Sequence, residues 1–269
     1  MTRIGSRIAA LLVAGLLFSA TGAVTSPASA ADVSVQSAES EMVRLINADR
    51  ARHGLRALRL DLRLTAIAGS RSADMASRDY FSHTQPDGRN VFDLIASAGI
   101  RWYSAGEIIA WNNWPSLFDS AGAANTAWLN SPGHRAIILS REYNYVGIGL
   151  ALSSDGRKYW TGVFLRGPDR TGGWVRPARP SVQAAPENRR RVAFSWAGGD
   201  VRLAVLTSGF GSFHVQARVD GRAWVTVRGA TTHTRYALTV RRGHTVELRI
   251  RARDRAGNLG AWRYVSART

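Results

Sequence analysis

The chain has 269 residues and no cysteine, which excludes disulfide bonds, cysteine nucleophiles and cysteine-ligated metals. Hydrophobic residues make up 45% of it, enough for packed cores, so disorder is not the default expectation and two domains are expected. Its 36 basic residues outnumber 19 acidic ones, and the formal net charge is +17, which attracts anionic partners.

The first thirty residues have the layout of a signal peptide. Arg3 and Arg7 precede an apolar run from Ile8 to Phe18, and the small residues Ala28-Ser29-Ala30 follow. The apolar run is shorter than the roughly 20 residues that span a bilayer, so we expect cleavage after Ala30 rather than a membrane anchor. The sequence therefore predicts a secreted or envelope-associated protein with no transmembrane segment once residues 1–30 are removed.

Helices and strands are mixed in the next part of the chain. Hydrophobic spacing and capping residues predict five helices, at Ser37–Gly54, Asp61–Arg78, Asn90–Ala98, Ser116–Leu129 and Pro132–Leu139. Strand-like runs lie at 106–111, 145–152 and 159–165, the last two joined by the turn Ser154-Asp155-Gly156. This mixture predicts an α+β domain.

The periodicity changes after residue 166. A stretch rich in proline and arginine at 167–189 is predicted to be a linker, because apolar periodicity stops there. Strict alternation then marks strands at 213–219 and 246–253, and Asp220-Gly221 predicts a tight hairpin turn. The turn at 254–258, followed by Trp262, resembles the end of fibronectin type III or related immunoglobulin-like modules. Residues 190–269 are therefore predicted to form an all-β sandwich.

The excess positive charge lies mainly in this second part. Residues 31–185 carry 18 basic and 14 acidic groups, a net of +4, whereas residues 186–269 carry 16 and 5, a net of +11. Arg249, Arg251 and Arg253 alternate with apolar residues and form a candidate anion-binding face; a merely solvated face is the alternative. Such a face would contact nucleic-acid phosphates without reading sequence, but export favours an anionic cell-envelope polymer as the partner over nucleic acid.

Three polar motifs in the first part carry the residues that could do chemistry. His83 lies in Phe81-Ser82-His83-Thr84, Glu107 stands at the head of an apolar strand, and His134 follows Ser131-Pro132-Gly133. Both histidines lie in turn-forming segments, and a carboxylate buried in an apolar strand needs a partner. We expect the three side chains to meet in one cleft, with Ser82 lining it.

These motifs resemble those of the CAP superfamily, which unites cysteine-rich secretory, antigen 5 and pathogenesis-related proteins. The resemblance covers about residues 38–166 and includes the order and spacing of the three motifs. It implies an α-β-α sandwich in which two histidines and up to two glutamates surround a cleft that can hold a divalent ion. The matching residues are His83, Glu107 and His134. Because Tyr145 stands where many bacterial members have the second glutamate, we expect its hydroxyl to line the same cleft.

Two functions stay open at this point. Two neutral imidazoles and one carboxylate are enough to bind zinc and leave a position for water, which predicts a metal-dependent hydrolase of a cell-wall or extracellular polymer. A hydrogen-bonded His-Glu-His cluster without metal or catalysis is the other interpretation, and it predicts a cleft that binds a small lipid, glycan or peptide. The missing second glutamate favours binding, so no catalytic residue is assigned.

Overall fold

A computed structural model describes residues 30–269 of the chain. The predicted signal peptide, with its charged start, apolar run and cleavage motif, lies outside the described residues apart from the backbone of Ala30. In the described part, no helix is both long enough and apolar enough to cross a membrane.

The first unit is a three-layer α-β-α sandwich, as predicted. Its elements are α1 (Ala30–Arg52), β1 (Arg59–Leu60), α2 (Leu62–Ser77), α3 (Val91–Ser97), β2 (Ser104–Asn112), α4 (Leu117–Asn130), α5 (Pro132–Ile138), β3 (Tyr145–Leu152) and β4 (Lys158–Arg166). The sheet order is β1-β3-β4-β2, which leaves β2 at an edge. One buried cluster packs α1, α4 and α5 on one face, and another packs α2 and α3 on the other.

Side-chain caps fix where the helices begin. Asp61, Asn90 and Ser116 each accept a hydrogen bond from a backbone N–H in the first turn of the following helix, which confirms the predicted starts. Helix α1 differs, because it begins at Ala30 and Ser37 lies within it instead of capping it.

Two glycines of β3 let α2 lie directly on the sheet. A Cβ atom at Gly147 would lie 2.2 Å from the carbonyl carbon of Leu64, and one at Gly149 would lie 2.1 Å from the nitrogen of Gly69. No real side chain tolerates such distances, so the Val-Gly-Ile-Gly sequence of β3 is required by the close approach of α2. This contact fixes the position of the helix that carries Arg71.

The second unit is a sandwich of two antiparallel sheets around its own core. Its strands are β5 (Trp174–Pro177), β6 (Ser181–Ala185), β7 (Arg189–Gly199), β8 (Phe210–Val219), β9 (Val225–Thr231), β10 (Arg235–Arg241), β11 (Thr245–Asp254) and β12 (Arg263–Arg268). One sheet has the order β10-β7-β5, with β6 also on β7, and the other has the order β12-β11-β8-β9. The all-β prediction is confirmed; the fibronectin-like resemblance stays a prediction.

The stretch predicted as a linker, 167–189, differs from that expectation. It supplies β5 and β6, both paired with β7, and Val175 of β5 is buried in the core of the second unit. These are short strands with mostly exposed side chains, held by backbone hydrogen bonds, so they lack the apolar alternation that marks buried strands.

The two units are held together by a segment of the second one, at 200–209. Leu203 is 3% exposed and belongs to the same buried cluster as α2 and α3 of the first unit. The side chain of Asn144, which is fully buried, donates to the carbonyl of Val205 at 3.3 Å. The Arg170 guanidinium, just after β4, donates to Asp61 at 2.7 Å. The junction between the two units is therefore packed.

Candidate functional site

A buried carboxylate on the edge strand is the centre of the predicted cleft. Glu107 lies on β2 and is 7% exposed. Its Oε2 atom lies 2.6 Å from Nδ1 of His83, whose side chain is 56% exposed. The structure therefore brings together two of the three residues that the sequence singled out, and the histidine is the one that solvent reaches.

The same carboxylate is paired with a buried arginine that the sequence analysis did not select. Arg71 of α2 is fully buried, and its Nε atom donates to Oε1 of Glu107 at 2.9 Å. Its other nitrogens donate to the hydroxyl of Tyr80 at 2.8 Å and to the carbonyl of Ser82 at 2.6 Å. Burial is the largest single effect and opposes the charged form of Arg71, but the hydrogen bonds and charge interactions with Glu107 and Tyr80 together outweigh it and raise the pKa of Arg71.

The network continues to the other end of the His83 loop. The Tyr80 hydroxyl donates to Asp74 at 2.5 Å, and the side-chain amide of Gln85 donates to the same carboxylate at 2.9 Å. Burial and the bond to Asp74 raise the pKa of Tyr80, so it stays a neutral donor. Arg71 and Asp74, both on α2, thus fix the loop that presents His83.

His134 of α5 is the third residue that the sequence singled out. It is half-buried, and its pKa is lowered by burial and, to a smaller extent, by the nearby imidazole of His83. That His134 lines one cleft with His83 and Glu107 stays a prediction. Within residues 30–269 its ring makes no hydrogen bond, so it is available to a ligand.

The lowered pKa of His134 has a consequence for stability. The unfolded chain, with the ordinary value of 6.5, binds the proton more readily than the folded protein, so acidification below about pH 6.5 favours unfolding. We expect His134→Asn to flatten the dependence of unfolding free energy on pH between 7 and 5, measured by urea unfolding. His233→Asn, at an exposed position of the second unit, is the control. Equal slopes in wild type and His134→Asn would contradict this assignment.

Comparison with known proteins identifies the first unit. Residues 43–164 match the model of the cysteine-rich secretory protein family, CAP. The match covers less than half of the chain, and we call the matching part the CAP domain. Among curated proteins, the uncharacterized protein YkwD of Bacillus subtilis (strain 168) is 34% identical over 146 residues, which are 54% of this chain and 54% of that protein. The uncharacterized membrane protein YlbC of the same strain is 33% identical over 128 residues, 48% of this chain and 34% of that protein.

Solved structures are also similar over part of the chain. An extracellular protein containing a SCP domain from Bacillus anthracis is 28% identical, and the similarity covers 53% of this chain and 45% of that one at a TM-score of 0.45. An outer surface protein from Borrelia burgdorferi is 18% identical and covers 49% and 95% of the two chains, also at 0.45. The chain spans about half of the length of YkwD and about a third of that of YlbC.

As arranged here, the Glu107 carboxylate of the CAP cleft is a poor ligand for a divalent metal. One of its oxygens accepts from a buried guanidinium and the other contacts His83, so a cation would compete with both partners. A fixed positive charge 2.9 Å from the carboxylate also repels an incoming ion. Within residues 30–269, the acidic or histidine side chains that lie close enough together to hold a metal ion are elsewhere. They are Asp169, Asp200 and Asp254 at the junction, whose ligand atoms lie within 4.8 Å of one another.

Tyr145 differs from its expected role in the CAP cleft. Its hydroxyl accepts a hydrogen bond from the backbone N–H of Arg170 at 2.8 Å and lies 3.4 Å from the carbonyl of Pro168. The guanidinium of Arg170 also lies 4.4 Å from the centre of the Tyr145 ring. A buried tyrosine hydroxyl normally has a hydrogen-bond partner, and this one has its partners at the junction rather than beside His83 and Glu107.

Outside the CAP domain, the predicted arginine face is part of a stacked ladder. Arg218, Trp224, Arg249, Trp262 and Arg251 alternate, with each guanidinium 4.4 to 4.6 Å from the centre of a neighbouring indole ring. Arg249 lies between two indoles, so both of its faces are covered. Cation–π contacts of this kind stabilise the sheet, and only the edges of these guanidiniums remain for a ligand. Arg253, the third predicted residue, is exposed and outside the ladder.

A second group of arginines, missed by the sequence analysis, lines a cavity bordered by strands of both sheets. Arg191, Arg228 and Arg235 are exposed and border a cavity of about 500 Å³ together with Tyr236. The ion pairs found in the described part of this unit are Arg218 with Glu247 and His244 with Asp220, so these three arginines have no carboxylate partner. Arg191 lies on β7, far in sequence from Arg228 on β9 and Arg235 on β10, so no local pattern groups the three.

Proposed function

We propose that this is an exported CAP-domain protein whose cleft binds a small glycan or lipid ligand of the cell envelope or extracellular space. The basic β-sandwich holds it on an anionic envelope polymer. The observation that supports binding over hydrolysis is the engagement of Glu107 by Arg71 and His83, which leaves no free carboxylate to act as a base. Export rests on the predicted signal peptide.

Exposed aromatic side chains favour a glycan as the cleft ligand. Trp111 lies near the end of β2, four residues beyond Glu107, and is 47% exposed. Trp114 and Phe118 follow at the start of α4 and are 52% and 53% exposed. Large apolar surfaces left in water mark binding sites, and flat rings are suited to stack on sugar rings.

The test is co-sedimentation of the purified full chain with purified cell wall at low and high salt. We expect binding that falls steeply with salt, because exposed charge pairs are screened over about 8 to 10 Å at physiological ionic strength. The variant Arg191→Gln/Arg228→Gln/Arg235→Gln should lose more binding than Arg249→Gln/Arg251→Gln/Arg253→Gln, although each removes three charges, because its arginines are unpaired and exposed. Equal losses would show that net charge alone acts.

The same samples test the cleft. We expect no soluble wall fragments to appear, with or without added zinc or a chelator, while the protein sediments with the wall. Release of fragments that depends on zinc and is abolished by His134→Asn would overturn the binding proposal and support a hydrolase.

A further inference from the structure

A cavity of about 440 Å³ opens where the CAP domain meets the second unit. It is lined by the end of α1 and the turn that follows, by Arg141 after α5, and by Ala204 of the second unit. Three arginines, Arg50, Arg56 and Arg141, are its charged residues, and no acidic side chain lines it. It shares no residue with the His83–Glu107–His134 cleft, nor with the arginine ladder.

Arg50 is buried without a counterion. It is 1% exposed, and its hydrogen bonds go to the carbonyls of Arg56, Ile138 and Ser140 at 2.7 to 3.0 Å. Burial lowers its pKa to about 10. Carbonyl dipoles solvate a guanidinium but do not neutralise it, and a buried charge is normally paired. Within residues 30–269, Nη2 of Arg50 makes no hydrogen bond.

The other two arginines are also without acidic partners. Arg56 and Arg141 are exposed, and in the described part of the chain neither forms a salt bridge. The carboxylates nearest to them in sequence are committed elsewhere: Asp61 to Arg63 and Arg170, and Glu142 to Arg166. Three guanidiniums therefore line one cavity, and no carboxylate among residues 30–269 balances them.

From this geometry we propose that the cavity binds a phosphate group. Guanidiniums donate paired hydrogen bonds to phosphate oxygens, and three of them match the charge and the several acceptors of a phosphate better than those of a single carboxylate. The volume leaves room for the group to which the phosphate is esterified. Because Ala204 forms part of the wall, the bound phosphate contacts both units and strengthens their junction. The site is additional to the proposed function and independent of it.

Calorimetric titration of the full chain with inorganic phosphate tests this. Arg56→Gln/Arg141→Gln should weaken phosphate binding about tenfold or more, which corresponds to about 1.4 kcal/mol. The matched control is Arg101→Gln/Arg222→Gln, which removes two exposed arginines without salt bridges and so changes the net charge equally. We expect the control to bind phosphate within about twofold of wild type, since only the long-range field changes.

Two competition arms identify the source of the phosphate. A glycerol phosphodiester that displaces inorganic phosphate would indicate a polymer or lipid headgroup, and one that does not would indicate a free phosphate; both results support the site. Acetate that competes as well as phosphate would overturn the assignment to phosphate. Equal weakening by the two double variants, or no binding of phosphate to the wild-type chain, would overturn the site itself.

Discussion

Replacing Arg71 with methionine is expected to destabilise the protein by about 3–5 kcal/mol, because it leaves the Glu107 carboxylate buried with His83 as its sole side-chain partner. The change also removes the donors to Tyr80 and Ser82, so the His83 loop loses its attachment to α2. Methionine keeps the unbranched shape, so the main loss is electrostatic. Urea unfolding followed by circular dichroism measures the effect.

A double-mutant cycle separates the ion pair from the packing. Glu107→Gln removes the charge, and the variant Arg71→Met/Glu107→Gln should be destabilised by less than the sum of the single variants, by about 0.5–3 kcal/mol. Arg63→Met on the same helix is the control, because Arg63 is half-exposed in its pair with Asp61 and such pairs contribute about 1 kcal/mol or less. Additive single effects would mean that Arg71 and Glu107 do not stabilise each other.

The fold of the CAP domain was predictable because its signals are local. A capping side chain acts on N–H groups two or three residues away, and the apolar spacing of a helix is visible within four turns. Asp61, Asn90 and Ser116 accordingly mark helix starts in the structure as in the sequence. The contact between His83 and Glu107 was predicted on a different ground, because each lies in a distinctive polar motif that resembles those of the CAP superfamily.

The rest of the candidate site depends on contacts between distant residues. Arg71 bonds to a carboxylate 36 positions away, and the sequence showed only an arginine on the apolar face of a predicted helix. That arginine was the available signal, because a charge at a core position needs a buried partner. The ladder is similar: alternation predicted that Arg249 and Arg251 share a face, but Trp224 comes from a different hairpin of the sheet.

The packing of the two units against each other was not predicted because few apolar side chains carry it. Segment 200–209 contributes Leu203, which is buried in one cluster of the CAP domain, and Ala204, which packs against the other, and no periodicity marks two such residues. The carboxylate of Asp169, in the stretch predicted as a linker, is likewise held by the backbone and hydroxyl of Ser208, 39 residues away. Composition shows where apolar periodicity stops, whereas these contacts join residues that are distant in sequence.

Leu203→Ala is therefore expected to destabilise the CAP domain although the residue belongs to the second unit. Removing a leucine side chain that is 3% exposed leaves a cavity and costs about 2–5 kcal/mol. Leu206→Ala, three residues later and 39% exposed, should cost about 0.5 kcal/mol or less and controls for changes in the segment itself.

Thermal unfolding followed by tryptophan fluorescence and by calorimetry measures the effect of both substitutions. Because Leu203 anchors a segment of the second unit in the core of the CAP domain, wild type should unfold in one transition, and Leu203→Ala should lower its midpoint or split it in two. A wild-type protein that already unfolds in two transitions, the first unaffected by Leu203→Ala, would show that the units are stable independently and that the packed junction contributes little.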